Sequence, residues 1–110
     1  MKQYMIDQLR ENDFLQLEEY LNKNSEAGEL PGIYWIPVPE SLLERTQLEH
    51  RDCQPFFFAI NLDRNSISFE MLIRTRIRLR CGCIQYANEQ QRDYILNYAD
   101  QLFEKLNLMT

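Results

Sequence analysis

The stretch over residues 66–80, SISFEMLIRTRIRLR, alternates between two kinds of side chain along most of its length. Its odd positions are apolar or threonine, and four of its even positions are Arg74, Arg76, Arg78 and Arg80. Because successive side chains of a strand point to opposite faces of a sheet, this period of two predicts one long strand with an apolar face and an arginine face. A strand buried on one face needs a second layer to cover that face, so the stretch constrains the fold to a layered one built on a sheet.

A second apolar stretch over residues 56–62, FFFAINL, is joined to this strand by a polar turn at residues 63–66. A hairpin with a four-residue loop fixes which residues stand opposite one another. The expected pairs are all apolar and share one face: Leu62 with Ile67, Ile60 with Phe69, Phe58 with Met71 and Phe56 with Ile73. Loop length and hydrophobic pattern therefore agree on one register.

The other segments predict two longer helices, a short helix and one more strand. Apolar residues at helical spacing predict a helix over residues 2–23, which the polar break at residues 11–13 either bends or divides in two. A short strand is expected over residues 32–39, followed by a short helix that ends near His50. A final helix begins near Asn88, with Asn88 and Gln91 as a capping pair.

This order of elements predicts a single α+β domain over residues 1–110. We expect an antiparallel sheet of about three strands. The N-terminal and C-terminal helices are expected to pack on one face of this sheet, with the short helix between the first two strands. A chain of this length is sufficient for one such core.

Charge and hydropathy narrow the classes of function. The net charge is −5, with −6 over residues 1–52, +3 over residues 53–86 and −2 over residues 87–110. Nucleic-acid binding depends on neutralising phosphates, so an acidic chain disfavours nucleic acid as a partner. No apolar run is long enough for a membrane span, and the N-terminal residues lack the apolar core of a signal peptide, so we expect a cytoplasmic protein with no membrane contact.

The arginine face is the candidate interaction surface. Four guanidinium groups in a row repel one another unless carboxylates intervene, so they either pair within the chain or meet a partner. We expect a partner protein or a second copy of this chain, as a homodimer, to contact this face. The candidate residues share that face: Arg74, Arg76, Arg78, Arg80, Glu70, Phe57 and Leu72. An RNA-binding sheet would carry more aromatic residues among the basic ones.

The single histidine and the three cysteines are weak candidates for a zinc site. They occur as His50-x-x-Cys53 and Cys81-Gly82-Cys83, and the second spacing is shorter than that of most structural zinc sites. The long strand would also place Cys53 about 16 Å from Cys81. We therefore expect no metal and no other cofactor, and treat the cysteines as reduced, with a redox pair at Cys81 and Cys83 as a further alternative.

No motif for catalysis is visible, neither a glycine-rich phosphate loop nor a GxSxG or HExxH signature. We expect no catalytic residue and no enzymatic activity. The function that the sequence favours is a non-enzymatic protein-interaction or adaptor module that uses the arginine face. The alternatives are a module that binds nucleic acid or another polyanion, and a small zinc-binding domain.

Overall fold

Seven strands and three helices make up residues 2–108, the part of the chain that this computed structural model describes. The strands are β1 Gln3–Ile6, β2 Glu26–Ala27, β3 Ile33–Pro37, β4 Phe56–Leu62, β5 Ile67–Glu70, β6 Leu72–Thr75 and β7 Gln85–Tyr86. The helices are α1 Glu11–Asn24, α2 Arg45–Glu49 and α3 Glu89–Lys105, and short 3-10 turns lie at Glu40–Leu42 and Arg51–Cys53. The expected α+β domain is confirmed, whereas the expected sheet of about three strands is too small.

β4 lies at the centre of the antiparallel sheet. β3 pairs with it on one side, and β5 and β6 pair with it one after the other on the opposite side. β2 extends the sheet beyond β3, while β1 pairs with β5 and β7 pairs with β6 at the other edge. All residues of β4 except Asn61 are buried, as befits a strand that is covered on both faces.

The largest core side chains lie where the helices meet the sheet. Phe58 and Ile60 of β4, Leu17 of α1 and Ile95 of α3 are fully buried in one apolar cluster. Tyr94 of α3 stacks on Phe58 with ring centroids 6.2 Å apart. Burying a side chain of this size contributes about 1.5–3 kcal/mol relative to leaving it exposed, so α1 and α3 are held to the sheet chiefly by these contacts.

The expected helix over residues 2–23 is wrong at its start, where β1 pairs with β5 instead. The polar break at residues 11–13 is the first turn of α1. There the Asp13 carboxylate accepts a hydrogen bond from the backbone N–H of Arg10 at 3.0 Å, which satisfies a donor at the helix start. Pairing with a distant strand overrides the helical spacing of the apolar residues in β1.

The expected strand over residues 66–80 is interrupted at Met71. The Met71 N–H donates to the Lys2 carbonyl at 3.0 Å, and its carbonyl accepts from the Ala87 N–H at 2.7 Å. The backbone of Met71 thus forms hydrogen bonds with Lys2 and Ala87, which lie next to β1 and β7. The residues before Met71 form β5, and the residues after it form β6.

This interruption changes the register of the hairpin. The pairs Leu62 with Ile67 and Ile60 with Phe69 are confirmed, and the turn is closed by a bond from the Asp63 N–H to the Ser66 carbonyl at 2.8 Å. The expected pairs of Phe58 with Met71 and Phe56 with Ile73 are wrong, because beyond the interruption at Met71 Phe56 stands opposite Thr75. The slip of two residues keeps Ile73 and Thr75 on the expected buried face.

β6 ends at Thr75, so the second half of the predicted arginine strand lies outside the sheet. The Thr75 hydroxyl donates to the Cys53 carbonyl at 2.5 Å and accepts from the Ile77 N–H at 3.2 Å. That second bond turns the chain away from the ladder. On the partner strand, Pro55 has no N–H with which to extend the pairing.

Three expectations from local signals are confirmed. The strand expected over residues 32–39 is β3, and the short helix that follows it is α2 after a 3-10 turn. α3 begins with the expected pair, in which the Asn88 side chain accepts from the Gln91 N–H at 2.8 Å and the Gln91 side chain accepts from the Asn88 N–H at 3.0 Å. Within residues 2–108, none of the helices has the length and apolar character needed to cross a bilayer.

Candidate metal centre and the groove beside it

The one histidine and all three cysteines of the chain lie close together in the fold. Ligand atoms of His50, Cys81 and Cys83 all lie within 4.8 Å of one another. The Sγ atom of Cys53 lies 3.9 Å from that of Cys81. We call these four residues the cysteine cluster. The sequence identified all four as weak zinc candidates, and the structure brings them together.

His50 and Cys53 reach the cluster from the end of α2. His50 caps this helix, and the Cys53 N–H donates to the His50 carbonyl at 3.0 Å within the 3-10 turn Arg51–Cys53. This turn places Cys53 three residues after His50, with its sulfur next to that of Cys81. The bond from Thr75 to the Cys53 carbonyl fastens this turn to the end of β6.

Cys81 and Cys83 reach the cluster because the chain leaves the sheet after Thr75. A turn around Gly82, closed by a bond from the Ile84 N–H to the Cys81 carbonyl at 3.1 Å, brings the two cysteines together. The separation of about 16 Å expected between Cys53 and Cys81 along a straight strand is therefore wrong. The strand that would have kept them apart is not formed.

The ring of His50 is oriented by its own helix. Its Nδ1 atom lies 2.6 Å from the Thr46 carbonyl oxygen. Because a carbonyl oxygen can only accept, Nδ1 carries a proton, and in the neutral form of the ring Nε2 therefore keeps its lone pair. A hydrogen bond of this kind on one ring nitrogen is the usual arrangement when the other nitrogen binds a metal.

The thiols of the cluster differ in acidity. Hydrogen bonds from the backbone and side chain of Cys83 lower the pKa of Cys81 to about 7. A hydrogen bond from Cys53 and the charge of His50 lower it more weakly. Burial, followed by the two neighbouring thiols, raises the pKa of Cys83 to about 12. Cys53 and Cys83 are buried, while Cys81 is partly exposed.

A network of polar side chains fixes α2 against the rest of the fold. Glu44, at the start of α2, accepts hydrogen bonds from Gln85 of β7 and from Asn88 at 3.1 Å. The buried Gln91 side chain donates to Gln47 at 2.9 Å. These bonds join α2 to β7 and α3, and so set the position from which His50 approaches the cluster.

Two of the four candidate arginines are paired within the chain. Arg74 of β6 forms a salt bridge with Glu70 at 3.2 Å, and Glu70 also accepts from Asn61 at 2.8 Å. Arg76 forms a salt bridge with Glu26 of β2 at 3.2 Å. These are the internal pairs that the sequence offered as one of two interpretations.

Arg76 also covers the aromatic residues of the outer sheet face. Its guanidinium carbon lies 5.3 Å from the centre of the Trp35 ring and 5.7 Å from that of Phe57. Phe57 is only 3% exposed, so a partner could not contact it without displacing Arg76. Leu72, half-buried, stands opposite Tyr86 of β7.

Arg78 and Arg80 differ from the other two arginines. Both are exposed, and within residues 2–108 neither lies within salt-bridge distance of a carboxylate. They alternate with two exposed apolar residues, Ile77 at 59% and Leu79 at 97%. The segment of residues 77–80 therefore presents aliphatic and cationic side chains together.

This segment forms one side of a groove of about 390 Å³. We call it the Trp35 groove; it is lined by Glu29, Leu30, Ile33, Trp35, residues 74–79 and Ile84. The loop on its other side needs glycine at position 32, where φ is +80° and a Cβ atom would lie 2.6 Å from the Leu62 carbonyl oxygen.

The exposed Leu30, Ile77 and Leu79 were not identified as site residues from the sequence. Ile77 and Leu79 were placed on the buried face of a strand, as their alternation suggests. A contrary signal was available, because Pro55 ends the partner strand and leaves residues beyond Thr75 with nothing to pair against.

Comparisons with protein-family models, curated proteins and solved structures found no match to this chain.

Proposed function

We propose that this chain is a non-enzymatic protein-interaction module that binds an acidic, partly apolar peptide segment of another protein in the Trp35 groove. The observation that supports it most directly is the exposure of Leu79 (97%) and Ile77 (59%) next to the exposed Arg78 and Arg80. Aliphatic side chains grouped on a surface and bordered by charges are typical of contact sites.

The apolar part of the groove favours a peptide with large aliphatic or aromatic residues. Leu30, on the loop side, is 66% exposed and adds a third aliphatic side chain to Ile77 and Leu79. Covering apolar surface contributes about 25 cal/mol per Å², so such residues can anchor a segment that fills the groove.

The charges of the groove favour carboxylates on that peptide. Arg74, Arg76 and Arg78 line it together with a single acidic residue, Glu29. Arg74 and Arg76 already have carboxylate partners, which leaves Arg78 and the adjacent Arg80 as the cations to be neutralised. Arginine pairs with carboxylates in a planar, bidentate geometry that gives specificity as well as attraction.

A polyanion such as RNA fits this surface less well than an acidic peptide. The chain as a whole carries a net charge of −5, which opposes the approach of a nucleic acid. Trp35, the aromatic ring that lines the groove, is stacked under Arg76 and so is not free to receive a base.

A selection from a random peptide library displayed on phage, with the purified chain as bait, tests this proposal. We expect enriched peptides that combine Asp or Glu with Leu, Ile or Phe, and that bind more weakly as salt is raised. The double variant Ile77→Asp/Leu79→Asp should weaken binding of a selected peptide at least about tenfold, which corresponds to about 1.4 kcal/mol. Fluorescence anisotropy of the labelled peptide measures this change.

Leu15→Asp is the matched control, because Leu15 is 50% exposed on α1 and lies outside the groove. This variant should bind the peptide as the unchanged chain does. Selection of basic or featureless peptides, or equal binding by the groove variant, would overturn the proposal. Self-association of the chain that the groove variant abolishes, seen by light scattering, would replace the peptide with a second copy as the occupant.

A further inference from the structure

We infer that His50, Cys53, Cys81 and Cys83 bind one Zn²⁺ ion in a closed, tetrahedral Cys₃His site. This site is separate from the Trp35 groove and does not depend on what the groove binds. Two observations support it independently. The ligand atoms of His50, Cys81 and Cys83 lie within 4.8 Å of one another, with the Cys53 sulfur 3.9 Å from that of Cys81, and the His50 ring is oriented by its own hydrogen bond.

The distances suit a tetrahedral zinc ion. With Zn–S bonds of about 2.3 Å, two sulfur ligands of a tetrahedral site lie about 3.8 Å apart. The Sγ atoms of Cys53 and Cys81 are 3.9 Å apart. The ligand atoms of His50, Cys81 and Cys83 lie within 4.8 Å of one another, so small side-chain rotations bring them to the same distances.

The chemistry of the ligands favours zinc over other cations. Three thiolates and one imidazole are soft ligands, which exclude Ca²⁺ and Mg²⁺. Four protein ligands without an open position are typical of structural rather than catalytic zinc. Such an ion would hold the fold together and carry out no reaction.

The surroundings of the cluster provide the second shell that such a site needs. The Nδ1–H group of His50 bonds to the Thr46 carbonyl at 2.6 Å, which leaves Nε2 as the free ligand atom. Cys53 and Cys83 are buried, so water is kept from most of the site.

A disulfide is a poorer explanation of the same cluster. A disulfide uses two cysteines at a sulfur–sulfur distance of about 2.05 Å, and would leave a third thiol and the oriented histidine without a role. A zinc ion uses all four side chains. It also neutralises the charge that three neighbouring thiolates would otherwise build up.

Zinc in this position would tie together two segments that are far apart in sequence. Cys53 and Cys81 are 28 positions apart, and only Cys53 belongs to the turn that follows α2. Residues 76–84 leave the sheet after Thr75 and return with Cys81 and Cys83. The ion would therefore fix the segment that carries Ile77 and Leu79.

Metal analysis of the purified full-length chain tests this inference. The protein is produced in zinc-supplemented medium, passed through size exclusion and measured by inductively coupled plasma mass spectrometry. We expect one zinc ion per chain, retained during the separation. Cys81→Ser, Cys83→Ser and His50→Ala should each lose the zinc, whereas Arg51→Gln, an exposed neighbour within the same turn, should keep it.

A second measurement covers the case in which the ligand variants do not fold. The unchanged chain is loaded with Co²⁺ in place of zinc, and its absorption spectrum is recorded. Strong d–d bands and thiolate-to-cobalt charge-transfer bands are expected from a tetrahedral site with sulfur ligands. A folded chain without bound metal and without these bands would overturn the inference, whether its thiols are free or joined in a disulfide.

Discussion

At the scale of single residues, the hydroxyl group of Tyr98 on α3 is buried and has no hydrogen-bond partner among residues 2–108. Burial, and then the neighbouring hydroxyls of Tyr20 and Tyr94, raise its pKa to about 12. An unbonded polar group in the interior costs about 1–3 kcal/mol of stability. The hydroxyl therefore opposes the packing of α3, although the ring supports it.

Tyr98→Phe should increase the free energy of unfolding at pH 7 by about 1 kcal/mol, because it removes the buried hydroxyl and keeps the ring. Urea unfolding followed by circular dichroism measures this change. Tyr86→Phe is the control, since Tyr86 is 44% exposed and should leave stability unchanged. A loss of stability in Tyr98→Phe would mean that the hydroxyl has a bonding partner in solution.

The same residue predicts the response to alkaline pH. In the folded chain the pKa of Tyr98 is raised from 10.0 to about 12, so the unfolded chain loses this proton first, and the free energy of unfolding falls as the pH rises from 10 towards 12. The unchanged chain should lose stability over this window. Tyr98→Phe should lose less stability over the same range.

Also at the residue scale, the orientations within the cysteine cluster have local causes. Thr46 orients His50 from one turn earlier in the chain, and the turn around Gly82 brings Cys81 and Cys83 together. The spacing of those pairs is visible in the sequence. The sequence does not show that these pairs lie close together in the fold, because their proximity depends on contacts between segments that are distant along the chain.

At the scale of secondary-structure elements, the end of β6 determines both the cluster and the groove. The Thr75 hydroxyl bonds to the Cys53 carbonyl and to the Ile77 N–H. These two bonds hold the turn that carries Cys53 next to the point where residues 76–84 leave the sheet. A longer β6 would separate the four ligands and remove one side of the Trp35 groove.

Thr75→Val should lower the free energy of unfolding by about 1–3 kcal/mol, because the isosteric side chain leaves the Cys53 carbonyl and the Ile77 N–H without their partner. It should also weaken zinc binding in a competition assay with a chelator. Thr75→Ser is the matched control, since it keeps the hydroxyl, and it should bind zinc as tightly as the unchanged chain. Equal effects of both substitutions would show that the methyl group, and not the hydroxyl, supports the turn.

Elements with strong local signals could be predicted from the sequence, and elements defined by distant contacts could not. α3 was predicted from its apolar stripe and the pair of Asn88 and Gln91, and the β4–β5 hairpin from its loop. β1 was missed because its partner strand begins at Ile67, far along the chain, and its apolar spacing also suits a helix. The length of β6 was overestimated because alternation continues beyond the last residue that has a partner.

At the scale of the whole molecule, the candidate site lies where the two halves of the chain meet. The acidic first half supplies His50, and the basic middle supplies Cys53, Cys81 and Cys83. A ligand that binds only the folded state stabilises it by an amount that grows with its free concentration. Zinc would thus couple the stability of the fold to the position of the segment that carries Ile77 and Leu79.

X-ray absorption spectroscopy of the purified chain at the zinc edge tests whether these four side chains bind one zinc ion. We predict a first shell of three sulfur atoms at about 2.3 Å and one nitrogen atom at about 2.0–2.1 Å, with one zinc ion per chain. Such a shell can be formed by this chain only if all of its cysteines and its histidine bind the same ion. A chain without zinc, or a shell of oxygen and nitrogen atoms alone, would show that the cysteine cluster is not a zinc site.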